Sequence, residues 1–180
     1  NHLFEKTGIT KASKEGLTLI LVSCHPNILS NLPNFLHDFI KQNKNLFWIF
    51  KTHPRHNFYT SEKDNFLFKQ KIGDLINTCV IESREIHNAI LYENIDIHLT
   101  PHSSTAHELL KFGIKTIFFD SKALYFHKRD IDNGLFLYAE SLIELKNHFK
   151  NLILKKEKST HPLSPEKEKL NDITYYFLNK

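Results

Sequence analysis

The chain has 180 residues and only five glycines, and none of them stands in a GxGxxG or GxxxxGK[ST] arrangement. Dinucleotide and P-loop sites of the usual kind need those glycines, so both lack their signature here. No GxSxG is present, which removes the nucleophile elbow of a hydrolase. The only two cysteines, Cys24 and Cys79, lie in apolar strand-like runs without CxxC spacing. They read as reduced core thiols of a cytoplasmic protein. Long apolar runs are missing too. The longest, such as Leu17–Val22 and Leu46–Phe50, are far too short to span a bilayer. No arginine-rich stripe interleaves with aromatics, so nucleic acid is not an expected partner. No signal peptide, internal repeat or low-complexity segment is visible. The chain starts at Asn1 without an initiator Met, and we read it as a piece of something longer.

What is present suits a sizeable core. Apolar residues make up 41% and aromatics 12%, with fifteen Phe, enough for one domain or half of a two-domain enzyme. The net charge of +4 is mild. It favours an anionic ligand, or peripheral association with an acidic inner-membrane face.

Taken in order, residues 1–16 are polar and lack periodicity; they read as a leading linker with one short helical turn near His2–Lys6. Leu17–Ser23 is a continuous β-rich run, typical of a strand buried on both faces. A turn follows at Cys24-His25-Pro26-Asn27. Helical spacing then runs from Leu29 to Gln42, with Pro33 in its first turn. Leu46–Lys51 is the second buried strand, ending in Thr52-His53-Pro54-Arg55. Phe58–Lys71 suggests a loop and then a helix that Lys71–Asn77 continues. Cys79–Ile81 is a short strand and Ser83–Tyr92 a helix. Ile95–Leu99 is the next strand, broken by Pro101 and His102. Ser103, Ser104 and Thr105 are all good helix caps, and Ala106–Lys111 continues as helix. Gly113 sits where a left-handed residue is wanted after a helix end. Lys115–Asp120 is another strand, Ser121–Asn133 a polar loop, and Gly134–Tyr138 a last short strand. Ser141 caps a helix through Leu154. A charged linker at 155–163 precedes a final helix, which opens at Ser164-Pro165-Glu166 within residues 164–180.

Strands and helices thus alternate at least five times. The expected fold is α/β, a doubly wound Rossmann-like parallel sheet over residues 17–154 with helices on both faces. Ligands of such sheets bind at the carboxyl ends of the strands. Three polar turns fall there: Ser23-Cys-His25 after the first strand, Thr52-His53-Pro-Arg55 after the second, and Thr100-Pro-His102-Ser103-Ser104-Thr105 after the fourth. A helix opening with Ser-Ser-Thr offers free backbone N–H groups, hydroxyls and the positive end of a macrodipole, which is chemistry for holding a phosphate. The same residues also suit a plain structural cap. His53 and Arg55 can add charge or donors from the neighbouring turn. Glu108, about one helical turn beyond the serines, can accept two hydroxyl hydrogen bonds, as from a ribose, or can be an ordinary solvated residue. His25 is well placed but has no evident partner. His37, His87, His107 and His148 fall on expected helices and read as surface or part-packed. His98, His102 and His107 have no spacing that compels convergence, so no metal is expected.

Lys51-Thr52-His53-Pro54, followed about fifty residues later by Ser103-Ser104-Thr105-Ala106-His107-Glu108-Leu109-Leu110-Lys111-Phe112-Gly113, resembles the C-terminal half of GT-B fold glycosyltransferases. It is most similar to bacterial capsule and lipooligosaccharide enzymes of the sialyltransferase-like, Kdo-transferase-like and glycerophosphotransferase-like groups, which carry an HP motif and a Ser-Ser/Thr motif. The resemblance covers residues 17–154 as an order of elements, and its specific part is those two motifs. It implies that this half binds a CMP-, UDP- or CDP-activated sugar, with no tightly bound cofactor. His53 would approach the donor phosphate as acid or electrostatic partner, with Lys51 and Thr52 beside it. Ser103, Ser104 and Thr105 would cradle the phosphate, and Glu108 would hold the ribose. The acceptor, a glycan or lipid-linked glycan, and the base that activates it would come with an N-terminal half, towards which helix 164–178 would cross back. UDP-sugar 2-epimerases share the fold but typically place glycines beside the serine, which Ser103-Ser104-Thr105 lacks. A non-catalytic nucleotide- or partner-binding module is the other alternative. An α/β half of similar size upstream in the gene would favour the transferase.

Overall fold

The structure is a computed structural model that describes residues 2–24, 32–53, 70, 72 and 75–158. Its sheet begins with β1 (Thr18–Ser23) and β2 (Leu46–Lys51). Leu19 and Leu21 enter one buried cluster, yet Ile20 and Val22 on the opposite face are buried too. Every residue of β2 is buried. Strands covered on both faces need helices on both sides and so pair in parallel. β3 (Thr78–Ile81), β4 (Ile97–Thr100), β5 (Lys115–Phe118) and β6 (Leu137–Tyr138) complete a six-stranded sheet in the order β3-β2-β1-β4-β5-β6. Every pairing is parallel. This is a Rossmann-like α/β fold, as the alternating pattern predicts. The order reverses beside β1, because β2 follows β1 on one side and β4 lies on the other. That switch point opens a crevice at the carboxyl ends of β1 and β4.

The helices whose bounds fall among the described residues are α1 (His2–Lys6), α2 (Ile9–Lys14), α3 (Asn34–Gln42), α4 (Asn88–Tyr92), α5 (Thr105–Lys111), α6 (Lys122–Phe126), α7 (Lys128–Asp132) and α8 (Leu142–Lys158). On α3, Leu36, Phe39 and Ile40 are buried. The Phe39 ring meets the fully buried Trp48 of β2 edge-on at 5.9 Å. Burying one such large side chain is worth about 1.5–3 kcal/mol. At the start of β2 the buried Asn77 amide donates to the carbonyls of Asn43 and Leu46, at 3.1 and 2.9 Å. α5 ends as expected. Gly113 takes φ 74°, its N–H donates to the Leu110 carbonyl, and the Ile114 N–H donates to that of Leu109. This pair of bonds closes the last turn.

Several expectations are corrected. Residues 1–16 are not a linker. α1 and α2 lie there, and Phe4, Ile9 and Ala12 join the buried cluster of Leu19, Leu21 and Ile49. Residues 121–133 are not a polar loop, since α6 and α7 occupy them. They are anchored by buried Ala123 and His127, and Ala123 packs with Ala106, Phe118 and Phe136. The helix expected at Ser83–Tyr92 is shorter, because His87 becomes its cap, with Nδ1 accepting the Ala89 N–H at 3.3 Å. α3 starts at Asn34, and Pro33 is its extended N-cap rather than part of its first turn.

The chain divides after Lys146 into two units, and of the second only residues 147–158 are described. They continue α8, so the first residues expected in the linker 155–163 are helical. The rest of that linker, helix 164–180, the turn at His25–Asn27, the start of the Leu29 helix and nearly all of Phe58–Lys71 lie outside the described residues. Among the described residues no helix is long and apolar enough to cross a membrane.

Candidate functional site

The carboxyl edge of the sheet holds a cleft of about 890 Å³, within the usual range for small-molecule sites of about 300–1,000 Å³. Its floor comes from Ser23, Cys24 and Thr100. One wall is Lys51, Thr52 and His53 at the end of β2, with Ser83 and Asn88 beyond. The other is His102, Ser103, Ser104, Thr105 and Glu108, carried by the β4–α5 turn and α5. Ten of the twelve residues singled out in the sequence therefore come together. His25 and Arg55 lie outside the described residues.

Hydrogen bonds lock most of the floor. The Thr100 hydroxyl donates to the Ser23 carbonyl at 3.2 Å and accepts the Ser103 N–H at 3.4 Å. The Ser103 hydroxyl lies 3.0 Å from that of Thr105 and accepts the Thr105 N–H at 3.2 Å. Ser103 thus does the capping. Ser104, the N-cap residue by backbone geometry, makes no side-chain capping bond and is exposed at the cleft.

Beneath Ser23 lies His98, fully buried in β4. Its Nε2 is 2.8 Å from the Ser23 hydroxyl and its Nδ1 is 3.0 Å from that of Thr116. Burial pushes the imidazole down to about 3, so it is neutral at ordinary pH. In the sequence His98 stands out only as a candidate metal ligand. The available signal was a polar residue between Ile97 and Leu99, because a buried polar group needs partners.

The charged residues of the cleft are coupled. Lys51 is buried, and its ammonium donates to the Ile86 carbonyl at 3.1 Å and to the Asn88 side-chain carbonyl. Burial pulls its pKa below the ordinary value, and the Glu108 carboxylate counteracts this. Tyr92, also on the cleft, donates its hydroxyl to Glu108 at 3.3 Å. Burial raises the pKa of the phenol, and the charge of Glu108 raises it further. Glu108 is therefore a positioned acceptor beside a buried cation. Asn88 and Tyr92 went unnoticed in the sequence, since only the fold brings α4 to β2 and α5. Thr52 is buried and accepts the Ser83 N–H at 3.2 Å. The Cys24 thiol, driven up to about 12 by burial, is no nucleophile. The arrangement offers hydroxyls, a cation and a carboxylate to a polar, anionic, hydroxyl-bearing ligand.

No family model and no curated protein matches the chain. Solved structures do. The UDP-GlcNAc 2-epimerase from Neisseria meningitidis bound to UDP-GlcNAc is similar with a TM-score of 0.59 and 14% identity, over 87% of this chain and 43% of that one. The C-terminal CMP-Kdo binding domain of WaaA from Acinetobacter baumannii gives 0.54 and 13%, over 83% of this chain and 91% of that domain. The Methanocaldococcus jannaschii UDP-GlcNAc 2-epimerase, solved with UDP-GlcNAc and UDP, gives 0.54 and 17%, over 97% and 50%. At these identities the likeness is one of fold alone. The chain spans half or less of either epimerase.

Proposed function

We propose that the cleft binds the nucleotide of an activated sugar, and that the chain is the donor-binding half of a bacterial capsule or lipooligosaccharide glycosyltransferase. The observation that carries this reading is the convergence of three sequence-distant polar turns on one cleft at the carboxyl edge of the sheet. The fold shared with the CMP-Kdo binding domain of WaaA over 91% of that domain supports it. In this reading the uncommitted hydroxyl of Ser104 holds the donor phosphate, and Glu108, steadied by Tyr92, accepts the ribose hydroxyls. The acceptor oxygen forms a bond to the anomeric carbon while the bond from that carbon to the phosphate oxygen breaks. The electron pair leaves with the phosphate. Donors aimed at that developing charge lower the barrier, and His53 at the cleft wall supplies one, as a cation or as a proton donor. The donor is CMP-, UDP- or CDP-linked. The acceptor glycan and its base belong to a further α/β half, working at the cytoplasmic face of the inner membrane.

The epimerase neighbours, with a TM-score of 0.59 for one, favour a second reading: inversion at C2 of a UDP-sugar in the same cleft. Calorimetric titration with CMP, CDP, UDP and GDP tests the shared premise. Heat with at least one nucleotide, diminished in His53→Ala, is expected; no heat with any of them would sink both readings. Inversion at C2 of UDP-GlcNAc by the chain would select the epimerase.

A further inference from the structure

His107 is separated in sequence from His127 and Asp130 by a strand and a helix, and the spacing of the three matches no metal motif. The fold brings them together. His107 lies on α5, His127 joins α6 to α7, and Asp130 is in the first turn of α7. One ligand atom from each lies within 4.8 Å of the other two, and His107 Nε2 is 3.7 Å from Asp130 Oδ2. Atoms bound to one cation at about 2.0–2.2 Å stand roughly 3–3.5 Å apart, so small side-chain rotations complete the set.

The ring of His127 sets this apart from a chance meeting. It is 7% exposed. Its Nε2 faces the His102 carbonyl at 3.3 Å. A carbonyl only accepts, so Nε2 carries the hydrogen and, in the neutral ring, Nδ1 keeps a lone pair. That Nδ1 is buried with no hydrogen-bond partner, although buried polar atoms are nearly always satisfied. An N–H held by a carbonyl, with the opposite nitrogen left open, is how metal-binding histidines are commonly oriented. Aromatic rings fix the plane: Phe118 stacks on His127 at 4.5 Å and 10°, and Phe136 stands edge-on to His107 at 5.0 Å. His107 is 51% exposed and Asp130 28%, which leaves an access path and a position for water.

We propose that His107, His127 and Asp130 form a binding site for a divalent transition-metal cation of the zinc class. Two imidazoles and one carboxylate are a donor set that suits such ions. None of the three residues lines the cleft, so the cation does not touch the nucleotide. Instead it ties α6 and α7 to α5, the helix that carries Thr105 and Glu108. The site stands independently of the nucleotide reading.

The test uses the full chain, stripped with a chelator and titrated with Zn²⁺ by calorimetry and with Co²⁺ by visible absorption. His107→Ala and Asp130→Asn, both at partly exposed side chains, are compared with wild type after circular dichroism shows them folded. His37→Ala is the control for histidines elsewhere. The expected result is one Zn²⁺ per chain and the visible absorption of low-coordinate Co²⁺. Binding should weaken by at least about tenfold in each site variant and stay unchanged in the control. Absence of binding, or affinity undiminished in His107→Ala and Asp130→Asn, would overturn the proposal.

Discussion

Two helices of this chain, α5 and α8, begin at serines, and they use their hydroxyls differently. At the start of α8, Ser141 donates its hydroxyl to Glu144 at 2.9 Å and accepts the Glu144 N–H at 3.3 Å. The same carboxylate takes the Glu140 N–H at 3.0 Å. Donors and acceptors answer one another, which is what a structural cap requires. At the start of α5 only Ser103 caps. Ser104 is left without a capping bond on the cleft. A closed set of polar groups stabilises its helix. An open one, beside a cation and a positioned carboxylate, is available to a ligand.

The sharpest break in that comparison is expected from Ser104→Ala. Loss of one hydrogen bond to a charged phosphate costs about 1.5–3 kcal/mol, so nucleotide affinity should fall roughly ten- to a hundredfold. Its unfolding free energy should stay within about 0.5 kcal/mol of wild type. Unchanged affinity would make the open serine an idle surface residue.

The next effect concerns Ser23, the cleft hydroxyl that is already committed. His98 holds it, and that ring resists protonation down to about pH 3. The unfolded imidazole takes up its proton near pH 6.5. The contribution is therefore complete above pH 6.5 and is lost as pH falls from 6.5 towards 3. The slope is about 1.4 kcal/mol per pH unit, or roughly 2 kcal/mol between pH 6.5 and 5. Urea denaturation across that window should show the decline, and His98→Gln should flatten it. An equal slope in the variant would remove His98 from the account.

Ser141→Ala is expected to act the other way from Ser104→Ala. It should lower stability by about 1 kcal/mol and leave nucleotide affinity untouched, as read by denaturation and calorimetry on the same sample. A loss of affinity here would erase the distinction between the two helix starts.

Legibility in the sequence followed the range of the interaction. β2 was readable to the residue, because Leu46-Phe-Trp-Ile-Phe-Lys51 is a continuous run that only a strand buried on both faces explains. The end of α5 was readable from Gly113, whose positive φ has a local cause. α1 was legible as the short turn at His2–Lys6, but α2 was not, since a helix of six residues after Gly8 is too short to display a period. α6 and α7 look like loop in the sequence because each has five residues, too few to display a period, and charge dominates α7. Their anchor, His127 stacked on Phe118, exists only once β5 has paired. The three polar turns were visible as candidates for a site, but the pairing of Tyr92 with Glu108 and of Lys51 with Asn88 depends on the packing of α4, which no spacing displays.

Amide chemical shifts followed by heteronuclear NMR while CMP or UDP is added to the chain test the central claim most directly. The account predicts that the largest changes fall on Ser103–Thr105 and Lys51–His53 together, at both walls of the cleft. Changes confined to other surfaces, or none at millimolar nucleotide, would contradict it.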